Sequence, residues 1–416
     1  MISILRNIGL PQTETRNQTS TVGETSIACS PSRIFISGNW YASETTDGGL
    51  SWIHVNPARH LPAPASGGFC CDQTLVYVPG RDVMVWLLQY MSDAHENVLR
   101  LAVKGGADDN SSWHWWDFTP TQVNSAWTNE WFDYNHAALS DNFLYVGTNV
   151  FDMEDRWQRC VILRIPLDVL AGGGSLSFEY FDSNEHFSLR CTQGASSTMY
   201  CAAHDSSRRL TVYAWPEQDP DVTIHQVRVS RWDPPDPNVR GYSSPSPDGT
   251  DWLQRCDSRI TAGWVSGDTI GFAWTANSRG RRKQPHVRAV RIDTSNMRRI
   301  DEPDIWNDQF AFAYPNGYPN RDGTVGLSLF LGGGTRFPSL AVGIFDEQQN
   351  RWRLRMAQQG THGPVDNKWG DYLGCVTDAG GANWVAAGFT LQGGGARTDI
   401  EPRFVEFALQ SGDPPV

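Results

Sequence analysis

The chain has 416 residues, enough for two or three average domains or for one large all-β unit. Lys and Arg number 34 against 46 Asp and Glu, and the formal charge of −12 argues against nucleic acid as a general partner while leaving room for a local cationic pocket. Gly (39), Pro (24) and Trp (18) are plentiful and long helix-period stretches are scarce, which predicts many short strands joined by many turns.

The N-terminal stretch Met1–Ile8 has no basic start, no long apolar core and no small-residue cleavage site. As written, this predicts a cytoplasmic chain; a secreted one is expected if a leader has been replaced. The longest strongly apolar run, Val83–Leu88, is far too short to span a bilayer, so no membrane partner is expected. Eight cysteines in a chain of this length are too sparse for a disulfide scaffold.

An alternating apolar run, Arg33–Gly38, is followed by Thr45-Thr46-Asp47-Gly48-Gly49-Leu50-Ser51-Trp52 and then by a second short run, Trp52–Val55. Asp accepts hydrogen bonds from backbone two residues on and Gly takes positive φ, so Asp47, Gly48 and Gly49 read as a turn. Trp52 starts the returning strand as a packing anchor, and the whole predicts a β-hairpin. The spacing Ser/Thr-x-Asp-x-Gly-x-Ser/Thr-Trp resembles the Asp-box hairpin of the sialidase-like β-propellers. Ser246-Pro247-Asp248-Gly249-Thr250-Asp251-Trp252 is a degenerate second copy, one residue short. An Asp-box is a folding motif at the outer edge of a blade, so the resemblance implies a fold rather than a chemistry.

A pattern of alternating apolar strand, Gly/Asp/Asn turn, second strand and more polar outer strand recurs along the chain. The first copy covers 24–66. Copy two starts at Gly68–Gln73 and runs through Thr74–Val78, Val83–Tyr90, Val98–Val103 and Trp113–Trp116. Copy three starts at Trp131–His136, with Asn142–Thr148, Arg159–Ile165 and Leu176–Phe181. Copy four starts at Ser188–Gln193, with Thr198–His204, Arg209–Trp215 and Thr223–Val229. Copy five starts at Trp252–Arg259, with Ile260–Val265, Thr269–Ala276 and Val287–Ile292. Copy six starts at Ala311–Pro315, with Val325–Leu331, Ser339–Phe345 and Trp352–Met356. Copy seven starts at Lys368–Gly374, with Asn383–Gly388 and Arg403–Leu409.

Seven copies of roughly 45–65 residues match a four-stranded blade with its loops, and radial repetition protects the sheet edges. The expected fold is therefore all-β: a single β-propeller domain over 1–416, seven blades preferred and six the competing count. The N-terminal segment should supply a strand to the last blade and close the ring. The basic Arg279–Lys283 segment reads as a solvated excursion between strands.

The innermost strand of a propeller blade lines the central channel, and the starts of these copies are polar. They offer Asp72 and Gln73; Asp133, Tyr134 and His136; Arg190 and Gln193; Arg255, Asp257 and Arg259; Tyr314; and Asp371 and Tyr372. Buried charges are costly unless paired, so these residues either lock neighbouring blades together or meet a ligand. A small-molecule or glycan ligand is the expectation for the set as a whole. Guanidinium groups grip carboxylates bidentately, and sialidases hold the substrate carboxylate with three arginines. The resemblance puts Arg190, Arg255 and Arg259 in that role. The family's Phe/Tyr-Arg-Ile-Pro motif is absent, with Ser32-Arg33-Ile34-Phe35 the nearest stretch, and no Glu stands beside Tyr314 or Tyr372 to activate either. The resemblance thus covers the fold and not the sialidase active site.

The leading expectation is a carbohydrate-active enzyme, hydrolase or lyase, acting on an acidic glycan or glycoside. A two-carboxylate glycosidase would draw on Asp72, Asp133, Asp257 or Asp371. A lyase would use a His/Tyr pair to move the proton, and Tyr134 and His136 fall on one face of an alternating strand. Tyr372 completes the acid–base candidates, and Tyr314, Asp257 and Asp371 the ligand-contacting ones. Cys70 and Cys71 are adjacent and can close a vicinal disulfide with a flat apolar face, or remain two thiols in a reducing compartment. Trp127 and Trp131 flank Thr128-Asn129-Glu130 in a loop, where an aromatic can stack on a sugar. No His/Cys/Asp cluster has zinc spacing, and no cofactor is expected beyond calcium on an Asp-rich loop. A lectin-like binding propeller and an enzyme of an apolar small molecule are the alternatives. No oligomeric state follows from the sequence.

Overall fold

The computed structural model describes residues 1–10, 15, 18–64, 67–105, 112–235 and 241–410. Their strands form seven four-stranded sheets. The first holds Ser26–Cys29, Ile34–Gly38, Tyr41–Thr45 and Ile53–Val55. The second holds Phe69–Val78, Val83–Tyr90, Leu99–Gly105 and His114–Phe118; the third Glu130–Leu139, Phe143–Asp152, Trp157–Pro166 and Glu179–Ser183. The fourth holds Arg190–Cys191, Thr198–Ser206, Arg209–Pro216 and Thr223–Arg228, and the fifth Ile260–Ser266, Thr269–Ala276, His286–Asp293 and Arg298–Asp301. The sixth holds Ala311–Pro319, Val325–Gly333, Arg336–Asp346 and Arg351–Gln358.

The seventh sheet joins Gly374–Thr377, Trp384–Leu391 and Ile400–Leu409 to the N-terminal strand Ile2–Gly9, which pairs Ile2 with Leu409 and Gly9 with Arg403. The chain is an all-β seven-bladed β-propeller, closed in its last blade by the N-terminal strand as expected, and six blades is ruled out.

The chain divides into two compact units. One holds Ser26–His204 and Thr211–His225; the other holds Met1–Thr25, Asp205–Leu210 and Gln226–Val416. Within each unit the core lies between the faces of consecutive sheets, and strand alternation explains how. In Val83–Tyr90, Met84, Trp86 and Leu88 join Phe35 and Ala42 of the first blade. The intervening Val83, Val85 and Leu87 join Phe132 and Val146 of the third. A strand buried on both faces reads as one unbroken apolar run. Truncating the fully buried Trp86 to Ala should cost about 3–5 kcal/mol. In the other unit, Phe330, Trp369, Phe389 and Phe407 belong to one cluster and Trp264, Leu327, Leu329 and Phe345 to another.

Several local expectations change. The Thr45–Trp52 turn joins Tyr41–Thr45 to Ile53–Val55, the third and fourth strands, and Arg33–Gly38 contributes the second strand instead. Asp47 Oδ1 accepts from the Ser51 N–H at 3.0 Å and Oδ2 from the Ser51 hydroxyl at 2.5 Å, and the Thr45 hydroxyl donates to Oδ1 at 2.7 Å. The Ser51 and Thr45 bonds hold the Asp47 carboxyl below the usual carboxylate range.

The degenerate copy is no blade hairpin. It lies along the chain between Thr223–Arg228 and Ile260–Ser266, and Asp248 there accepts from the Thr250 hydroxyl at 2.7 Å and the Gly363 N–H at 2.9 Å. Trp252 is fully buried against Trp369. The stretches Trp252–Arg259 and Lys368–Leu373 precede the innermost strands, which begin at Ile260 and Gly374. No helix among the described residues is long and apolar enough to cross a membrane.

Candidate functional site

Four innermost strands carry register shifts: between Phe69 and Gln73, Asp133 and His136, Ile260 and Ala262, and Ala313 and Asn316. Extra residues in one strand of a pair re-aim side chains away from strict alternation. Most of the polar candidates stand in or beside these bulges.

In the unit holding blades five to seven, the structure brings Arg255, Asp257, Arg259 and Asp371 together. Arg259 sits between two carboxylates, with Nε 2.7 Å from Asp257 Oδ2 and a terminal nitrogen 3.1 Å from Asp371 Oδ2. The Asp257 Oδ1 also accepts from the Arg259 N–H at 2.9 Å. Arg255 touches the same Asp371 Oδ2 through a single 3.5 Å contact, and its side chain stays 41% exposed. Asp371 is only 8% exposed, and its Oδ1 has no hydrogen-bond partner among the described residues. Burial would pull Arg255 down, but Asp371 and Glu24 raise it above its ordinary value, so it stays charged.

Tyr314 lies in the same neighbourhood at φ +55, buried, its hydroxyl donating to the Trp369 carbonyl at 3.0 Å. Burial, then the nearby Cys256 and Asp371, push its pKa well above the phenol range, so this tyrosine is a neutral donor. Gly370 explains how the two meet: at φ +109 a Cβ there would lie 2.5 Å from the Tyr314 ring. Tyr372 is buried beside them in the chain.

In the other unit, Gln73 acts as a clamp. Its Nε2 donates to the Gly38 and Tyr41 carbonyls at 2.6 and 3.1 Å, and its Oε1 accepts from Trp86 Nε1 at 2.9 Å. Asp72 is buried next to it. Cys70 and Cys71 are bonded to one another and half-buried, and the Trp40 indole donates to the Cys70 carbonyl.

Asp133 is half-buried and accepts from Gln89 Nε2 at 3.1 Å. The alternation that would put Tyr134 and His136 on one face is interrupted there, with Tyr134 at φ +58 inside the bulge. His136 Nε2 accepts the Cys191 N–H at 3.2 Å, which places its proton on Nδ1. Burial, then the charge of Arg190, drive its pKa well below the ordinary 6.5. Arg190 is itself buried, and Gln193 Nε2 donates to the Ala137 carbonyl at 2.8 Å.

Trp131 lies in the innermost strand of blade three rather than in a loop, with Nε1 donating to the Asp152 carbonyl at 2.9 Å and its ring against Phe151. Trp127 is buried under the Arg159 guanidinium, 4.6 Å from the ring centre. Among the described residues no group of three or more His, Cys, Asp and Glu side chains is placed to hold a metal.

Sequence reasoning missed Glu24, which is buried at φ +44 and donates its N–H to the Gly370 carbonyl at 3.4 Å. A lone acidic residue ahead of Ser26–Cys29 carries no signal of such a role.

No protein-family model matches the chain, and no curated protein does. Among solved structures, a protein of unknown function from Dyadobacter fermentans is similar over 98% of this chain and 99% of its own, at 8% identity and a TM-score of 0.47. The Dos1 propeller is similar over 98% of this chain and 95% of its own, at 10% identity and a TM-score of 0.46. A Trypanosoma rangeli sialidase in complex with the inhibitor DANA covers 80% of this chain, which spans 54% of that one, at 10% identity and a TM-score of 0.42. These are likenesses of fold alone.

Proposed function

We propose that the chain is a carbohydrate-active propeller that takes an acidic glycan or glycoside, with Arg255 gripping the ligand carboxylate. The observation that supports this is the incomplete pairing of Arg255: 41% exposed, it spends one 3.5 Å contact on Asp371 and keeps the rest of its fork available. Arg259, held by Asp257 and Asp371, fixes the Asp371 carboxylate beside Arg255. The unpartnered Asp371 Oδ1 offers an acceptor to a ligand hydroxyl. Within the unit that holds Arg255, the carboxylates at hand are Asp257 and Asp371, and a carboxylate pair suits hydrolysis. The bonded Cys70–Cys71 pair supports a second reading, an apolar small-molecule substrate.

The test is mass spectrometry of acidic and neutral glycans after incubation with the protein. Gain of water marks a hydrolase and an unsaturated product a lyase. Arg255→Ala should lose action on acidic members by at least about tenfold while Arg255→Lys retains part of it. An unchanged panel with no saturable binding of an acidic glycan would overturn the proposal.

A further inference from the structure

The segment Arg279–Lys283, expected to be a solvated excursion, is folded into a wall of a cavity. Arg279 and Arg282 exchange backbone hydrogen bonds at 2.9 and 3.0 Å, making a tight hairpin. The tip, with Ser230, Arg231, Arg288, Glu302 and Asp304, encloses a space of about 360 Å³. That volume lies in the range of small-molecule sites.

The charges in this cavity do not balance. Five arginines line it against two carboxylates, Glu302 and Asp304. Including Asp233, which binds Arg279 at 2.8 Å, and Arg299, which binds Glu302 at 3.0 Å, the tally is six guanidinium groups to three carboxylates. This excess stands out in a chain whose formal charge is −12.

The groups are also held in place. Arg288 is 2% exposed and reaches Asp304 at 3.0 Å and Glu302 at 2.9 Å, and Arg282 shares Asp304. The guanidinium of Arg281 lies 5.3 Å from the centre of the Trp306 ring, and Arg281 has no carboxylate partner among the described residues. The buried Nε groups of Arg282 and Arg288 have no hydrogen-bond acceptor among the described residues. Burial of donors without acceptors, among like charges, is costly unless something else supplies the acceptors. In keeping with that crowding, burial and the neighbouring Arg288 and Arg281 pull Arg282 below its ordinary range despite Asp304.

We propose that this cavity binds a small polyanion bearing phosphate or sulfate-ester groups, whose tetrahedral oxygens meet several guanidinium forks at once. This site is independent of Arg255 and of the activity proposed above.

The experiment is titration calorimetry of the full chain with pyrophosphate, glucose 6-phosphate and glucose 6-sulfate. At least one should bind saturably and more weakly as salt is raised. The sugar ester that binds more tightly names the source of the anion. Arg281→Glu, which breaks no ion pair among the described residues, should weaken binding about ten- to a hundredfold with circular dichroism unchanged, and Arg279→Ala should weaken it less. Arg255→Ala should bind as the parent does. No saturable binding of any probe, or Arg281→Glu and Arg279→Ala both binding like the parent, would overturn the proposal.

Discussion

The innermost strands of blades three and six solve one backbone problem with different side chains. Each carries a two-residue bulge beginning with a tyrosine in the left-handed region, Tyr134 at φ +58 and Tyr314 at φ +55. In each, a threonine of the preceding blade donates to the carbonyl of the next residue: Thr74 to Asn135 at 3.1 Å, Thr261 to Pro315 at 2.7 Å. The residue after that reaches the following blade. His136 accepts the Cys191 N–H, whereas Asn316 donates to the Leu373 carbonyl. The cross-strand partner compensates for size: Gly147 faces the bulky His136, and Ser328 faces Asn316. The bulge is thus a reusable joint between blades, and its third position chooses between a titratable acceptor and a fixed donor.

The largest expected break in this comparison is Gly147→Ala. A Cβ there would lie 2.2 Å from the His136 ring, and the loss should be about 3 kcal/mol or more by denaturant titration. Adding His136→Asn should recover much of it, because Asn leaves room; strict additivity of the two would show that the pair is not size-coupled. In blade six, Tyr314→Phe should cost about 1–3 kcal/mol, since the Trp369 carbonyl loses its buried donor.

The pH response sharpens the contrast further. With its folded pKa depressed, His136 binds no proton where the unfolded chain does, so its contribution is full above the ordinary 6.5 and is lost as pH falls below it. The slope is at most about 1.4 kcal/mol per pH unit, and His136→Asn should remove this component from stability curves measured between pH 5 and 8. Asn316→Ala should leave the slope unchanged. The smallest effect is for Thr74→Val and Thr261→Val, each about 1 kcal/mol in thermal unfolding, and unequal losses would show that the two joints are not equivalent.

Much of the blade architecture was legible in the chain. Val83–Tyr90 reads as a doubly buried strand because every residue is apolar or aromatic but Gln89, and Asp47 with its glycines announces a turn by local chemistry. Trp252–Arg259 was expected to start the fifth copy, but its Trp252 and Leu253 pack in a connection ahead of Ile260. The candidate site was only half legible. Arg255 and Arg259 stand four apart and were visible, but the carboxylate that joins them, Asp371, lies 112 residues beyond Arg259. The basic Arg279–Lys283 run was visible as well. Its partners Arg288 and Asp304 are buried and come from the strand His286–Asp293 and the connection after Arg298–Asp301, so the run looked solvated.

The amino-acid order by itself determined a repeating four-strand pattern, its turns and the closure by an N-terminal strand, because alternation and turn chemistry act over a few residues. Only the tertiary structure decided where innermost strands bulge, which histidine is forced to stay neutral, and which arginines keep an unpaired fork. Those properties belong to pairs of strands and to charges distant in the chain, and they exist only once burial has brought both partners out of water.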